Sequence, residues 1–174
     1  RSRDTMESLL SELLGANCVL WLGDGIEGDD TDGHIDDLTR FIAPGRVVTI
    51  VEPDPADSNH LPLAENRRRL EGFRDAKQRR LEIVELPTPG RIEGPGGRLP
   101  ASYANFYIAN QLVLIPVFGV EADREALTIL EACFPERTIV PIPSRALVEG
   151  LGAVHCLTQQ EPALPASEVR RGVS

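Results

Sequence analysis

The chain has 174 residues, of which 41% are hydrophobic and 26% charged, and its formal net charge is −9 at pH 7. This length and composition are typical of one globular domain with a sizeable core. The negative charge argues against nucleic acid as a partner, and no apolar run is long enough to predict a membrane span. Three cysteines without regular spacing exclude a disulfide scaffold and favour a reducing compartment, so we expect a cytoplasmic protein.

The first predicted element is a helix near the start of the chain. Asp4, with Glu7 three residues later, is typical of a helix start, and leucines at helical spacing continue to Gly15. The apolar run at residues 18–22 then predicts a short buried strand. A glycine-rich acidic loop at residues 23–33 follows it.

The rest of the chain predicts one order of elements twice, namely strand, strand, helix and strand. The first copy covers residues 34–43, 46–51, 63–73 and 81–86. The second copy covers residues 103–109, 112–117, 123–134 and 138–142. Because a ββαβ pattern that recurs in one chain indicates a repeat architecture, we expect an α/β fold built from such modules.

The acidic loop contains a glycine pattern that resembles a dinucleotide-binding fingerprint. Residues 23–28 match GxGxxG after a predicted strand, and Glu52 ends the next strand, where a ribose-binding acid would stand. A pyrophosphate at this loop would meet Asp24 and Glu27, whereas the motif needs bare backbone N–H groups at a helix start. We therefore do not expect a dinucleotide cofactor.

The sequence matches neither the calcium-binding nor the zinc-binding patterns. If Gly33 is aligned with the glycine of an EF-hand, Gly28 falls at the first calcium ligand and Thr39 at the last. The three histidines, at positions 34, 60 and 155, have neither HxxxH spacing nor a cysteine pair beside them, as a zinc site would require. We expect no metal and no organic cofactor.

The residue types of a thiol-nucleophile hydrolase are present in two distant segments. His34 and Asp36 are two residues apart, so they would face the same side if the chain runs into a strand there. Cys156 follows glycines at 150 and 152 and precedes a polar run. A cysteine, a histidine and an aspartate that meet at one point can perform nucleophilic catalysis.

Each of these residues also has a plainer interpretation. We interpret Cys18 and Cys133 as inert core thiols, within a strand and a helix. Cys156 differs because its polar surroundings are typical of a reactive thiol. Taken singly, His34 and Asp36 are better interpreted as turn residues that face solvent, so the catalytic hypothesis depends on their meeting Cys156.

Three segments carry a resemblance to a known family. They are residues 28–37 (GDDTDGHIDD), 101–110 (ASYANFYIAN) and 150–160 (GLGAVHCLTQQ). Together they resemble the agmatine deiminase family, which also holds the Porphyromonas-type peptidylarginine deiminases and belongs to the guanidine-modifying superfamily. The resemblance covers nearly all of residues 1–163, and we expect residues 164–174 to be a polar C-terminal tail.

The resemblance implies a fold and an incomplete chain. The expected fold is a pentein-type, five-bladed α/β-propeller of ββαβ modules, and the chain resembles roughly the C-terminal half of family members. Family members carry a longer N-terminal part with further acidic residues that grip the guanidinium, and residues 1–27 match none of it. We therefore expect an incomplete propeller, with the missing half as a possible partner, and this chain alone is expected to be inactive.

The resemblance also implies a reaction and roles for three residues. It implies Cys156 as the nucleophile, His34 as the general acid and base, and Asp36 as a carboxylate that binds the guanidinium. The implied reaction hydrolyses agmatine to N-carbamoylputrescine and ammonia through a covalent amidino-cysteine. Asp30 is our candidate for binding the distal amine of the substrate, and Asp29 and Asp32 are alternatives for the same task.

Other functions remain open at the level of the sequence. Peptidylarginine is the alternative substrate, and it would need an open groove. A Cys-His-Asp acyl hydrolase would use Asp36 to orient His34 and not to touch the substrate. A non-catalytic fragment and a homo-oligomer are further possibilities that the sequence leaves undecided.

Overall fold

A computed structural model gives the fold of residues 2–30 and 33–161. The expected polar tail at residues 164–174 lies outside these described residues. Within them, no helix combines the length and the apolarity that a transmembrane span needs.

The predicted N-terminal helix is present as α1, Arg3–Leu14, but its cap differs from the prediction. Ser2 is the N-cap, and its hydroxyl accepts a hydrogen bond from the backbone N–H of Thr5 at 3.3 Å. The predicted cap, Asp4, lies inside the first turn, where a carboxylate faces the positive end of the helix dipole. Gly15 ends the helix with φ of 68°, a left-handed conformation that glycine adopts readily.

The strand predicted at residues 18–22 is wrong. These residues form no regular element, and the Cys18 side of the segment is exposed. A short apolar run becomes a strand only where a neighbouring strand takes up its backbone hydrogen bonds, and no described strand lies beside this one. The interpretation of Cys18 as a core thiol is therefore also wrong.

The first predicted module is a three-stranded sheet with one helix. It consists of β1 (Thr39–Ala43), β2 (Arg46–Val51), α2 (His60–Gly72) and β3 (Glu82–Pro87). β1 is antiparallel to β2, while β2 is parallel to β3, which is the pattern that a tight turn and a helical crossover produce.

A short hairpin separates the two modules. It pairs β4 (Glu93–Gly94) with β5 (Gly97–Arg98). The second module then repeats the first with β6 (Tyr107–Ile108), β7 (Leu112–Val117), α3 (Ala122–Cys133) and β8 (Thr138–Pro143). β6 is antiparallel to β7, and β7 is parallel to β8. The predicted ββαβ repeat is confirmed in element order, and the two modules also share their strand directions.

The first strand of each module is shorter than the sequence predicted. Residues 34–43 were expected to be one strand, but Ile35–Asp37 form a single 3₁₀ turn and β1 begins only at Thr39. Residues 103–106 are likewise irregular and fully buried ahead of β6. Side chains take up part of the backbone hydrogen bonding of both segments. The Asp37 carbonyl accepts from the Ser102 hydroxyl, and Arg40 donates to the carbonyls on either side of Asn105. A strand pattern does not reveal such contacts.

The core lies between the helices and the two sheets. Val48 and Ile50 of β2 and Ile115 of β7 are completely buried, as expected for central strands that are covered by helices. α3 packs against β3 of the first module as well as β8 of its own. The two modules therefore share one core, and the residues that precede β1 and β6 are brought together at its edge.

After β8, a short helix, α4 (Arg145–Val148), leads into a second 3₁₀ turn, His155–Leu157. This turn carries Cys156. Its backbone is tied to the second module, because the His155 N–H donates to the Asn105 carbonyl at 3.1 Å.

Candidate active site

One pocket contains all three residues that the sequence analysis assigned to catalysis. Its volume is about 440 Å³, and it is lined by His34, Asp36, Leu147, Gly150, Leu151, Gly152, Cys156 and Leu157. The polar lining groups come from the turn before β1 and from the turn His155–Leu157, and leucines supply the apolar part. A thiol, an imidazole and a carboxylate therefore face the same space.

Cys156 is exposed, unlike the partly buried Cys133 of α3. Burial raises the pKa of the Cys133 thiol, which keeps that residue in its unreactive form. Gly152 lies beside the Cys156 sulfur and has no side chain to cover it. A methyl group at position 152 would come within 3.3 Å of the sulfur. The interpretation of Cys133 as an inert thiol and of Cys156 as an accessible one agrees with this geometry.

Asp36 lies between the thiol and a histidine. Its Oδ2 is 2.7 Å from the Nδ1 of His155 and 3.6 Å from the Sγ of Cys156. Partial burial acts to raise the pKa of Asp36, but the hydrogen bond and charge of His155 outweigh it, and the pKa is lowered. Asp36 is therefore held as a carboxylate, the form that binds a cation.

His34 lies before the 3₁₀ turn, so it does not share a strand face with Asp36 as the sequence analysis assumed. Asp29 holds it instead. The His34 backbone N–H donates to Asp29 Oδ2 at 2.6 Å, and the His34 Nδ1 is 3.3 Å from Asp29 Oδ1. The Asp29 side chain is only 2% exposed, while the imidazole is 46% exposed. A buried carboxylate thus orients an accessible ring.

The loop that carries Asp29 folds back on itself through glycines. A methyl group at position 25 would come within 2.6 Å of the Gly33 Cα, so the two backbones can approach only because residue 25 is glycine. This approach brings Asp29 back to His34. The Asp29 alternative for amine binding is therefore weakened, since its carboxylate already faces the imidazole.

Asp30, the predicted amine-binding residue, is exposed. It is a described residue, but it does not line the pocket that contains Cys156. Its proposed role therefore stays a prediction, and the alternative Asp32 lies outside the described residues.

Asn105 is a site residue that the sequence analysis missed. Its Nδ2 donates to Asp36 Oδ2 at 3.1 Å and to Asp37 Oδ1 at 2.9 Å, and it lies 3.3 Å from the Cys156 sulfur. Its Oδ1 accepts the His155 backbone N–H at 2.9 Å. The signal was its position in the family-like segment 101–110, but no spacing rule connects it with positions 36 or 156.

Asp37 is the second missed residue. It is buried beside Asp36, and burial, followed by the charge of Asp36, raises its pKa to about 7. Its backbone carbonyl accepts a hydrogen bond from the Ser102 hydroxyl at 2.8 Å. The pKa values of these adjacent carboxyl groups are therefore shifted in opposite directions, because His155 lowers that of Asp36 whereas burial raises that of Asp37.

Among the described residues, Asp29, His34 and Asp37 form a group that could hold a metal ion, because their ligand atoms lie within 4.8 Å of one another. Two of the three are joined directly, since Asp29 accepts the His34 N–H, while Asp37 accepts the Asn105 amide.

Comparison with known proteins agrees with this arrangement. The sequence profile of the Porphyromonas-type peptidyl-arginine deiminase family matches residues 1–162. The chain is 37% identical to an agmatine deiminase from Pseudomonas fluorescens, over 93% of this chain and 49% of that protein. It is 38% identical to an agmatine deiminase from Ectopseudomonas mendocina, again over 93% of this chain and 49% of that protein.

A solved structure of the agmatine deiminase of Enterococcus faecalis superposes with a TM-score of 0.89 at 36% identity, over 93% of this chain and 49% of that one. This chain thus spans about half the length of the curated relatives it matches. From the sequence profile, the relatives and the shared α/β pentein fold, we conclude that the chain belongs to the Porphyromonas-type peptidyl-arginine deiminase family.

Proposed function

We propose that this chain carries the nucleophile-bearing part of a guanidine deiminase that hydrolyses agmatine to N-carbamoylputrescine and ammonia. The observation that supports it best is that the Cys156 thiol, the Asp36 carboxylate and the His34 imidazole line one pocket. Family membership and relatives that are named agmatine deiminase supply the reaction class.

Substrate binding begins with the guanidinium group. This group is planar and offers paired N–H donors, which match the two oxygens of a carboxylate. Asp36 is held ionised and is 3.6 Å from the Cys156 sulfur, so a guanidinium on Asp36 has its carbon beside the nucleophile. The leucines at positions 147, 151 and 157 offer apolar contact to the methylene chain of agmatine.

Bond formation then proceeds in two stages. The Cys156 thiolate attacks the guanidinium carbon, and the tetrahedral adduct loses one C–N bond as His34 protonates the departing ammonia. The amidino-cysteine that remains is attacked by water, from which His34 takes a proton. The C–S bond breaks, the ureido product leaves and the thiolate is restored. In this scheme Asp29 orients the His34 ring through its 3.3 Å contact with Nδ1.

The remaining parts of the proposal concern the setting of the site. Further carboxylates on the opposite side of the guanidinium belong to the complete protein, as the resemblance implies, and Asp30 is kept as the candidate for the distal amine. We also propose a cytoplasmic enzyme that works in putrescine formation, because its described cysteines are free thiols and its product is a carbamoyl derivative of putrescine.

Ammonia release from agmatine by the full-length protein tests the proposal, with an N-blocked arginine amide as the alternative substrate and a simple ester as the substrate of an acyl hydrolase. We expect release from agmatine, and we expect Cys156→Ser to abolish it while Cys133→Ser retains it. Release only from the blocked arginine would assign peptidylarginine. Ester hydrolysis without ammonia release would replace the deiminase with an acyl hydrolase.

A further inference from the structure

The strongest unassigned feature is the environment of the Asn105 side chain. Asn105 is completely buried, yet its amide contacts groups from two separate segments, the turns Ile35–Asp37 and His155–Leu157. The nitrogen faces Asp36, Asp37 and, at 3.3 Å, the Cys156 sulfur. The oxygen accepts the His155 N–H at 2.9 Å and lies farther from the same sulfur, at 3.7 Å. An amide nitrogen has two protons for these three acceptors, so at least one proton is shared between two of them.

The backbone around Asn105 is clamped by the first module. The Nη1 of Arg40, in β1, donates to the carbonyls of Ala104 and Phe106 at 3.1 and 2.9 Å, on both sides of Asn105. The Arg40 guanidinium also lies 4.9 Å from the centre of the Phe106 ring. The Ala104 N–H donates to the Ser102 hydroxyl at 3.1 Å. The amide of Asn105 is therefore held in place independently of the groups that it contacts.

This fixed amide faces both the nucleophile and the carboxylate. Nδ2 lies 3.1 Å from Asp36 Oδ2 and 3.3 Å from Cys156 Sγ, and these acceptors are 3.6 Å apart. A donor to sulfur favours the thiolate over the thiol, because hydrogen bonds to a charged acceptor are roughly twice as strong as neutral ones. A donor shared with Asp36 also reduces the repulsion between the carboxylate and that thiolate.

We propose that Asn105 is a positioning residue that holds the Cys156 sulfur and the Asp36 carboxylate at their separation and sustains the reactivity of the thiol through its N–H donor. The effect on catalysis rests on the proposed function. The effect on the thiol does not, since it concerns only Cys156 and its neighbours.

Two substitutions distinguish an N–H donor to Cys156 and Asp36 from a side chain that only packs in the interior. Asn105→Asp has the same shape and retains an oxygen acceptor for the His155 N–H, but it loses the donor. Asn105→Ala loses both. Asn66→Ala is the matched control, because Asn66 is 1% exposed and uses both ends of its amide, accepting from the Gly23 N–H at 2.6 Å and donating to the Asp24 carbonyl at 2.9 Å.

The experiment measures alkylation of Cys156 by iodoacetamide at pH 7 in the full-length protein, followed by peptide mass spectrometry. Cys18 is exposed as well, so its rate in the same sample is the internal reference. We expect the Cys156 rate, relative to Cys18, to fall on the order of tenfold in Asn105→Asp and in Asn105→Ala. We expect Asn66→Ala to keep the parent rate even where its melting temperature falls.

Folding is checked by circular dichroism, and Asn105→Leu, which is close in size and lacks the donor, is the alternative if the aspartate variant does not fold. A parent rate at Cys156 in any folded Asn105 variant that lacks the donor overturns the proposal. Iodoacetamide needs no substrate, so this result stands whether or not agmatine is hydrolysed. If agmatine is hydrolysed, kcat/KM should fall about a hundredfold in the same variants, as displacement of a reacting group by an ångström predicts.

Discussion

Asp36 and His155 lie 119 positions apart in the chain, yet the carboxylate Oδ2 of one is 2.7 Å from the ring Nδ1 of the other. This contact joins the 3₁₀ turn before β1 to the 3₁₀ turn that carries Cys156. It brings the Cys156 sulfur to 3.6 Å from the same carboxylate oxygen. It also lowers the pKa of Asp36 against the opposing effect of burial. This contact thus joins the two turns of the site and helps to keep Asp36 ionised.

His155→Phe should move the acid limb of activity to higher pH. The ring contact helps to lower the pKa of Asp36 against burial, so its loss raises that pKa. Asp36 must be ionised to bind a guanidinium, so kcat/KM for agmatine should begin to fall at a higher pH in the variant than in the parent. At a pH well above the Asp36 pKa of both proteins, kcat/KM should change less. A full pH profile of kcat/KM measures the effect. An acid limb at its original pH would contradict the role of this contact.

His34→Gln should lower kcat by about 10² to 10⁴, the usual contribution of a general acid and base. His34 is proposed to serve both stages, so ammonia release and release of the ureido product should both be slow. Single-turnover measurement of ammonia, with intact-mass detection of the amidino-cysteine, follows the two stages. The control is His60→Gln. His60 is the first residue of α2, its ring contacts the Glu52 carbonyl, and it does not line the pocket of Cys156. Parent activity in His34→Gln would remove His34 from the mechanism.

Asp37→Asn should stabilise the protein at neutral and alkaline pH. The pKa of Asp37 is about 7 in the folded chain and near ~3.9 when unfolded, so the folded state binds more protons between these values. The free energy of unfolding of the parent therefore falls by up to about 4 kcal/mol as pH rises from about 4 to 7, and it stays low at higher pH. The asparagine keeps an acceptor for the Asn105 amide and removes the charge. Urea unfolding at pH 5 and pH 8 should show a larger gain at pH 8.

Asp57→Asn should have the opposite effect on the free energy of unfolding, measured in the same way. Burial acts to raise the pKa of Asp57, but hydrogen bonds from Arg98 and the Asn59 backbone outweigh it and the pKa is lowered. The stability from this carboxylate is present above its unfolded pKa of ~3.9 and is lost as pH falls below it. Asp57→Asn should therefore destabilise at pH 8. Equal effects of the two substitutions at pH 8 would refute the assignment for Asp37.

Arg40→Met should destabilise the joint between the modules. Arg40 donates to two carbonyls of the second module and is partly buried, so its loss leaves the Ala104 and Phe106 carbonyls without that donor. We expect the free energy of unfolding to fall by about 2 kcal/mol, as buried acceptors that lose a charged donor imply. Arg137→Met is the matched control, since the exposed Arg137 donates to the Ala109 carbonyl at 3.3 Å and lies 5.8 Å from the Phe134 ring. A loss as large in the control would contradict the special role of Arg40.

The two modules could be predicted from the chain alone, because hydrophobic periodicity and turn residues are local properties that each segment carries. It predicted both ββαβ copies in the right order, and the resemblance in three segments identified the family. It also selected Cys156, His34 and Asp36, which the structure places in one pocket. Their roles as nucleophile, acid and base, and cation-binding carboxylate stay predictions that the experiments above test.

Which side chains meet depends on the packing of distant segments, and local patterns did not predict it. The strand predicted at residues 18–22 failed because no described strand pairs with it, and the predicted face shared by His34 and Asp36 failed because a 3₁₀ turn replaces the strand. Asn105 could not be found from the sequence, since its partners Asp36 and Cys156 lie 69 and 51 positions away. Contacts over such separations depend on how two modules pack, and no local pattern encodes that packing.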